Sequence, residues 1–326
     1  MNRFILRGSG IRSFSVYSPL QKTYGFIGLG RMGLNMAQNL RSNLPAGDEL
    51  IVYDVNSTAC KAIEGPIKIA TSVSSLANDS EVVISVLPEG KHVAAVYNEI
   101  VEGHKPSEKS SKSSQKLFLD CSTIDVETSL KVAELLSTKN VGKFVDTPIS
   151  GGTTGAKNAT LTFMIGSDDL SEIQPILSHM GKRFFACGKP GMGLAAKLAN
   201  NYVLGVTNIA TAEAFQMANK LGLDLNLFSE IVNTSSGRSW SSEINNPVPG
   251  INPNTPSSRN YENGFGVKLL KKDVLLALDA AKLAKLKLLL GDDTAQILQK
   301  IADSPEYGDK DMSIVYKWLE DGKGRD

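Results

Sequence analysis

The residue order predicts an α/β chain, a doubly wound parallel sheet followed by an all-helical domain, and three observations carry that prediction. Short apolar runs alternate with helix-compatible segments between Tyr24 and Pro148, the pattern of βαβ units. A glycine turn joins the first of these runs to the first helical segment. From Gly191 onward the strand-like runs stop and long stretches of helical period take over. A length of 326 residues accords with two domains at about 150 residues each. We place them at 22–190 and 191–326 and set residues 1–20 aside as a leader.

The leader is excluded from the fold on its composition. Arg3, Arg7, Arg12 and Lys22 stand among four serines, and the first carboxylate of the whole chain is Asp48. A basic, serine-containing, acid-free stretch has the make-up of a mitochondrial presequence, so the matrix is the expected compartment. A plain N-terminal tail is the alternative.

The first strand, TYGFI, runs into Gly28, Gly30 and Gly33 and then into a periodic segment with Met32, Met36, Ala37 and Leu40. In this GxGxxG spacing the first glycine permits a tight turn, the second lets the backbone approach a pyrophosphate, and the third lets helix and strand pack closely. The phosphates would sit at the helix N-terminus, where unpaired N–H groups and the dipole favour an anion. Any glycine-rich turn can match the pattern, so the next strand matters. ELIVY (49–53) ends in Asp54, 21 residues past Gly33. A carboxylate there accepts hydrogen bonds from an adenosine ribose diol and repels a 2′-phosphate, which favours NAD over NADP as cofactor. The competing reading is a cap for a helix that begins near Asn56.

IKIA (67–70), EVVISVLP (81–88), KLFLDCST (116–123) and GKFVDTP (142–148) continue the sheet. Ligands of such sheets bind beyond the carboxyl ends of the strands, which makes Leu87, Pro88, Ser122 and Thr123 candidates. The turn Ser150, Gly151, Gly152 in ISGGTTGA joins them, because consecutive small residues can form a nest of N–H groups for a carboxylate. A plain glycine turn ending the sheet is the alternative. The polar run 103–116 reads as an exposed loop.

The helical half opens after KPGMG (189–193), with helical stretches over 194–222, 225–233, 269–289 and 294–304. The junction between the halves is where a substrate pocket is expected. Lys197 and Asn201, four residues apart, share one face of the long helix near its start. A lysine on an apolar shoulder most often snorkels to solvent. Beside a nicotinamide it has another use, since oxidising an alcohol by hydride transfer needs a base for the hydroxyl proton. Desolvation and a neighbouring positive charge lower a lysine pKa toward the working range. Asn201 can bond the same oxygen or hold the lysine.

Composition excludes other classes. Lys and Arg number 35 against 34 Asp and Glu, a net charge of +1, so there is no basic field for nucleic acid or an anionic membrane. No apolar run reaches the ~18 residues of a membrane span. Cys60, Cys121 and Cys187 are too few for a disulfide framework and read as reduced, mostly buried thiols. His92, His104 and His179 have no partner at ligand spacing, so no metal is expected.

These motifs together resemble the β-hydroxyacid dehydrogenase family, collinearly from about Tyr24 to Trp318. GFIGLGRMGLNMAQNL resembles its cofactor fingerprint, DTPISGGTTGA its substrate motif and GMGLAAKLANNYVL its catalytic-lysine motif. SSGRSWSSEINNPVPG (235–250) is similar to the segment that sets the hydroxyisobutyrate branch apart, and GFGVKLLKKD (264–273) to a late cofactor-contact motif. The resemblance implies that Gly28, Gly30, Arg31, Met32, Gly33, Asp54, Leu87, Pro88, Thr123, Phe265 and Lys272 contact NAD. It implies that Ser122 and the Ser150, Gly151, Gly152 turn bind the substrate carboxylate, and that Lys197 is catalytic with Asn201 beside it. The implied activity is oxidation of 3-hydroxyisobutyrate to methylmalonate semialdehyde in valine catabolism, by a Rossmann domain and a helical domain that pairs two or more copies of the chain. Another small 3-hydroxyacid is the alternative substrate. A non-enzymatic binding module of the same fold is opposed by the retained Lys197 and Ser122. His92 stands where close relatives often place an asparagine, and 103–116 and 252–263 are longer than usual.

Overall fold

The computed structural model describes residues 21–105 and 115–324. The predicted presequence and positions 106–114 of the polar loop lie outside the described residues. The N-terminal half runs β1 (Thr23–Ile27), α1 (Gly33–Asn43), β2 (Glu49–Tyr53), α2 (Ser57–Cys60), β3 (Lys68–Ile69), α3 (Val73–Asp79), β4 (Val82–Ser85) and α4 (Gly90–Glu102). It continues through β5 (Leu117–Asp120), α5 (Val126–Thr138), β6 (Lys143–Asp146), β7 (Ile149–Ser150), α6 (Gly152–Lys157), β8 (Leu161–Ile165), α7 (Gln174–Leu177) and β9 (Gly181–Ala186). Helices follow: α8 (Met192–Lys220), α9 (Leu225–Thr234), α10 (Trp240–Glu243), α11 (Val267–Leu283), α12 (Gly291–Ala302) and α13 (Val315–Glu320).

The strands β1 to β6 form one parallel sheet in the order β3-β2-β1-β4-β5-β6. The strand order reverses between β1 and β4, and in doubly wound sheets that switch point is where a ligand crevice opens. Because helices cover both faces, successive strand residues are apolar on both sides. Phe26 and Leu119 face one core with Met36, Leu40 and Phe163, while Ile27 and Phe118 face the other with Leu76, Tyr97 and Phe144.

The sequence reading did not separate a second sheet from the first. β7 pairs antiparallel with β8, and β8 pairs parallel with β9, in a three-stranded sheet of its own. β7 is two residues long, too short for any period to show. A second departure is the end of α11, expected at Leu289 but found at Leu283. Lys285 adopts φ 57° there, and Leu286 and Leu289 are exposed, so the apolar run that mimicked helical period lies on an extended surface turn.

The long helix α8 belongs to both halves. Leu194, in its first turn, packs in the N-terminal core with Phe118 and Phe144. Ile209, Ala212 and Phe215, further along, pack in the helical core with Leu270, Leu298 and Trp318. Its start carries no side-chain cap of its own. The cap comes from the sheet: Asp146, last residue of β6, accepts the Gly191 and Leu194 amides at 2.8 and 2.9 Å. Gly193 has to be glycine for this approach, since a Cβ there would meet the Met164 carbonyl oxygen and lie 2.9 Å from Asp146 Oδ2.

Replacing Asp146 by alanine strands two buried N–H donors at the head of α8, and each such orphan costs about 1 to 3 kcal/mol. Urea unfolding of Asp146→Ala is expected to show a lower midpoint by that order, and an unchanged midpoint would mean α8 is held elsewhere.

Candidate active site

The glycine turn at the end of β1 is built for a close-lying anion. Gly28 has φ 92°, and a Cβ on it would run into the Val86 carbonyl oxygen across the switch point. A Cβ on Gly33 would run into the Gly28 carbonyl oxygen, so helix and turn touch there. Gly30 instead faces open space, with nothing within 4 Å of its Cβ position, and is exposed beside exposed Arg31 and half-buried Met32. The helix α1 begins with no side-chain cap and no acid in its first turn. Its free N–H groups therefore remain available to a phosphate. These residues fit a dinucleotide pyrophosphate.

Asp54 follows β2 at the same edge. Its Oδ2 accepts the Leu29 amide at 2.6 Å and its Oδ1 accepts the Asn56 amide at 2.7 Å. The carboxylate thus braces the glycine turn. The cap of α2 is Asn56, which accepts from the Thr58 amide at 3.1 Å, so the reading of Asp54 as that cap is corrected.

Beyond β4 and β5 the structure brings Leu87, Pro88, Ser122, Thr123 and Lys272 together. Lys272, on α11, reaches across from the helical half and donates to the Thr123 carbonyl oxygen at 2.6 Å and to that of Pro88 at 3.3 Å. Ser122 is buried, accepts the Leu87 amide at 2.8 Å and donates to Asp120 Oδ1 at 2.6 Å. Burial pushes the Asp120 carboxyl up to about 6, against the hydrogen bonds from Ser122 and Ser85. The single Ser122 proton is therefore already placed, and its hydroxyl holds the turn after β4.

The Ser150, Gly151, Gly152 turn has φ of 133° and 63° at its two glycines, which are exposed, and the space beside Gly152 is open. Positive φ at both positions is a backbone shape that glycine adopts without strain. The turn ends β7, whose partner β8 lies against α8.

Lys197 sits on α8 with 8% of its surface exposed. Burial holds its ammonium below the ordinary lysine range, Asp273 opposes that shift and Lys272 adds to it. Asn201, one turn on, donates its amide to Asp273 Oδ2 at 2.6 Å, and Lys272 lies 3.3 Å from Asp273 Oδ1. Asn201 therefore reaches the lysine's electrostatic partner. Asp273 escaped the sequence reading although it ends the quoted motif GFGVKLLKKD; its one signal was an acid at a position of apolar period on α11, between Leu270 and Val274, which are both buried. Phe265 is half-buried against the helical core, and its carbonyl accepts the Met312 amide at 2.8 Å. His92 is exposed on α4. Cys60 and Cys121 are buried and Cys187 half-buried.

A doubly wound sheet with a phosphate-ready glycine turn, an acid after β2 and a buried lysine at the junction defines a nicotinamide-dinucleotide dehydrogenase. Comparison with known proteins agrees. Residues 23–188 match the family described as the NAD-binding domain of 6-phosphogluconate dehydrogenase. Residues 191–319 match the NAD-binding domain of NADP-dependent 3-hydroxyisobutyrate dehydrogenase. The mitochondrial 3-hydroxyisobutyrate dehydrogenase of Drosophila melanogaster is 38% identical over 93% of this chain and 90% of its own. That of Mus musculus is 39% identical over 94% of this chain and 89% of its own. The solved Mycobacterium tuberculosis 3-hydroxyisobutyrate dehydrogenase, in a structure with L-serine, superposes with a TM-score of 0.83 at 34% identity, over 92% of this chain and 99% of that one. The chain belongs to the 3-hydroxyisobutyrate dehydrogenase family of NAD-binding oxidoreductases.

Asp54 is the residue expected to favour NAD over NADP. No arginine or lysine lies in DVNSTAC (54–60), and Val55 is 94% exposed, so that segment offers a 2′-phosphate a carboxylate and no cation. Like-charge juxtaposition costs enough for a preference of at least about tenfold for NAD in kcat/KM. Comparable values for NADP would contradict the assignment.

Proposed function

We propose that this protein oxidises 3-hydroxyisobutyrate to methylmalonate semialdehyde with NAD, in the mitochondrial matrix, as a step of valine breakdown. The observation that carries the reading is the buried Lys197, its pKa lowered by that burial, on the helix that joins the two cores. The mitochondrial relatives named 3-hydroxyisobutyrate dehydrogenase support the substrate and the compartment. L-serine in the Mycobacterium tuberculosis structure is itself a small acid with a hydroxyl on its third carbon, which favours the same substrate class.

The residues divide the work. Gly28, Gly30, Arg31, Met32 and Gly33 hold the pyrophosphate of NAD, Asp54 its adenosine ribose, and Leu87, Pro88, Thr123, Phe265 and Lys272 its nicotinamide half. NAD supplies the acceptor for the hydride that leaves the alcohol carbon. The Ser150, Gly151, Gly152 turn holds the substrate carboxylate from its backbone N–H groups, and Ser122 shapes the adjoining wall. Neutral Lys197 takes the hydroxyl proton at its Nζ, and in the reverse direction the ammonium returns it to the carbonyl oxygen. Asn201 steadies the oxygen and, through Asp273, the charge that forms on Lys197.

A base must be neutral to accept a proton, and Lys197 has a lowered pKa. The oxidation rate should therefore rise with pH and level off below the ordinary lysine range, while reduction falls over the same interval. Lys197→Ala preserves the helix, so folding and NADH binding should survive while kcat drops by ~10² to 10⁴. Lys197→Arg should not restore it, because guanidinium stays charged. A Lys197→Ala enzyme with more than about a tenth of wild-type kcat would remove the lysine from the chemistry.

The exposed apolar side chains along the helical half, among them Met217, Leu221, Leu283 and Leu289, favour pairing with a second copy of the chain. Protein isolated from mitochondria should begin within or just after residues 12–20 and sediment as a dimer or larger. An intact Met1 in the cytosol would contradict the matrix reading, and a monomer the pairing.

A further inference from the structure

The turn after β4 hangs on one buried carboxylate that no part of the reaction uses directly. Asp120, the last residue of β5, is 1% exposed. Its Oδ1 accepts Ser122 Oγ at 2.6 Å and Ser85 Oγ at 2.7 Å. With the Ser122 proton committed there, the lone pairs of Ser122 Oγ are left to accept the Leu87 amide at 2.8 Å. The Ser85 proton is committed in the same way, so the Tyr97 hydroxyl, 2.9 Å from Ser85 Oγ, is the donor of that pair. The chain of bonds thus runs from Tyr97 through Ser85 into Asp120, and from the Leu87 amide through Ser122 into the same oxygen.

This arrangement is costly. Asp120 Oδ2 is buried with no hydrogen-bond partner among the described residues. Asp120 also stands opposite Asp146 in the β5–β6 register, carboxylate beside carboxylate. An apolar residue would fill the space with less penalty. What an apolar residue lacks is the ability to orient two hydroxyls, one of which carries the Leu87 amide at the ligand edge of the sheet.

We propose that Asp120 is a positioning residue for the cofactor: by holding the Ser122 proton it turns the Ser122 oxygen onto the Leu87 amide and locks the Leu87–Pro88 turn into the shape that receives the nicotinamide half of NAD. The proposal rests on the NAD-dependent reading given above. Lys272 grips the Pro88 carbonyl from the helical half, so the turn is fixed from below by Asp120 and from above by Lys272. Asp120 reaches the Leu87 amide through Ser122, and through Ser85 it also holds the end of β4 that leads into the turn.

Equilibrium titration with NADH, read by fluorescence on variants verified as folded by circular dichroism, tests this without turnover. Ser122→Ala and the isosteric Asp120→Leu should each weaken NADH binding by about tenfold, the loss of one buried hydrogen bond. The double variant should bind no worse than Asp120→Leu to within about twofold, since that change already frees the Ser122 hydroxyl. Asp120→Asn, whose amide oxygen still accepts from Ser122, should stay within about threefold of wild type. Wild-type affinity in Ser122→Ala or in Asp120→Leu, or additive losses in the double variant, overturns the proposal. If Asp120→Leu does not fold, the other two single variants decide: the proposal stands when Ser122→Ala loses NADH and Asp120→Asn keeps it, and falls otherwise. A wild-type protein that does not bind NADH would overturn the dinucleotide reading instead.

Discussion

The buried carboxylate of Asp146 at the head of α8 is the contact on which the rest of the site depends. It receives the Gly191 and Leu194 amides directly from the end of β6. Burial pushes its pKa up, a cost that those backbone donors oppose. A negative charge at the positive end of a helix dipole offsets the cost further. Because α8 spans the N-terminal and the helical cores, a clamp at its first turn fixes the direction of the whole helix. Lys197 lies six residues past Gly191. Its place is set by a strand end and a helix, not by a loop, and geometry held by rigid elements is what proton transfer needs.

Around that lysine the charges are balanced so that neither form is lost. Burial alone would make the ammonium expensive, and Lys272 adds repulsion, while Asp273 draws the proton back. Asp273 is itself held by Asn201 at 2.6 Å and lies 3.3 Å from Lys272, so its charge is shared among three side chains. The same Lys272 ties α11 to the Pro88 and Thr123 carbonyls. One side chain therefore links the electrostatics of Lys197 to the contact between the two halves.

Much of this was legible in the residue order, and what escaped did so for physical reasons. The inner strands β1, β4 and β5 were read correctly because each is a continuous apolar run with a helix after it, as burial on both faces demands. The glycine turn and Asp54 were picked out because each stands at a strand end within one βαβ unit, and the fold joins them through the Leu29 amide. Asp120, Asp146 and Asp273 were not. Asp146 acts on Leu194 at a separation of 48, Asp273 on Asn201 at 72, and Asp120 on Ser85 at 35 as well as on nearby Ser122. An acid at a strand end reads the same whether it faces solvent or caps a distant helix. Ser122 was picked out by its place at the ligand edge of the sheet, and the fold adds that its hydroxyl donates to Asp120. Sequence locates such a hydroxyl and only the fold orients it. The second sheet escaped because β7 is only two residues long and the helix between it and β8 only six.

The central claim is that Lys197 is a base tuned by burial, and the most direct test is to titrate that one side chain. Carbon-13 NMR of lysine labelled at its ε-carbon, with the Lys197→Arg variant to assign the signal, reads its protonation without turnover. The account predicts one lysine resonance titrating clearly below all the others and missing from the variant. A Lys197 signal that titrates together with the surface lysines would contradict it.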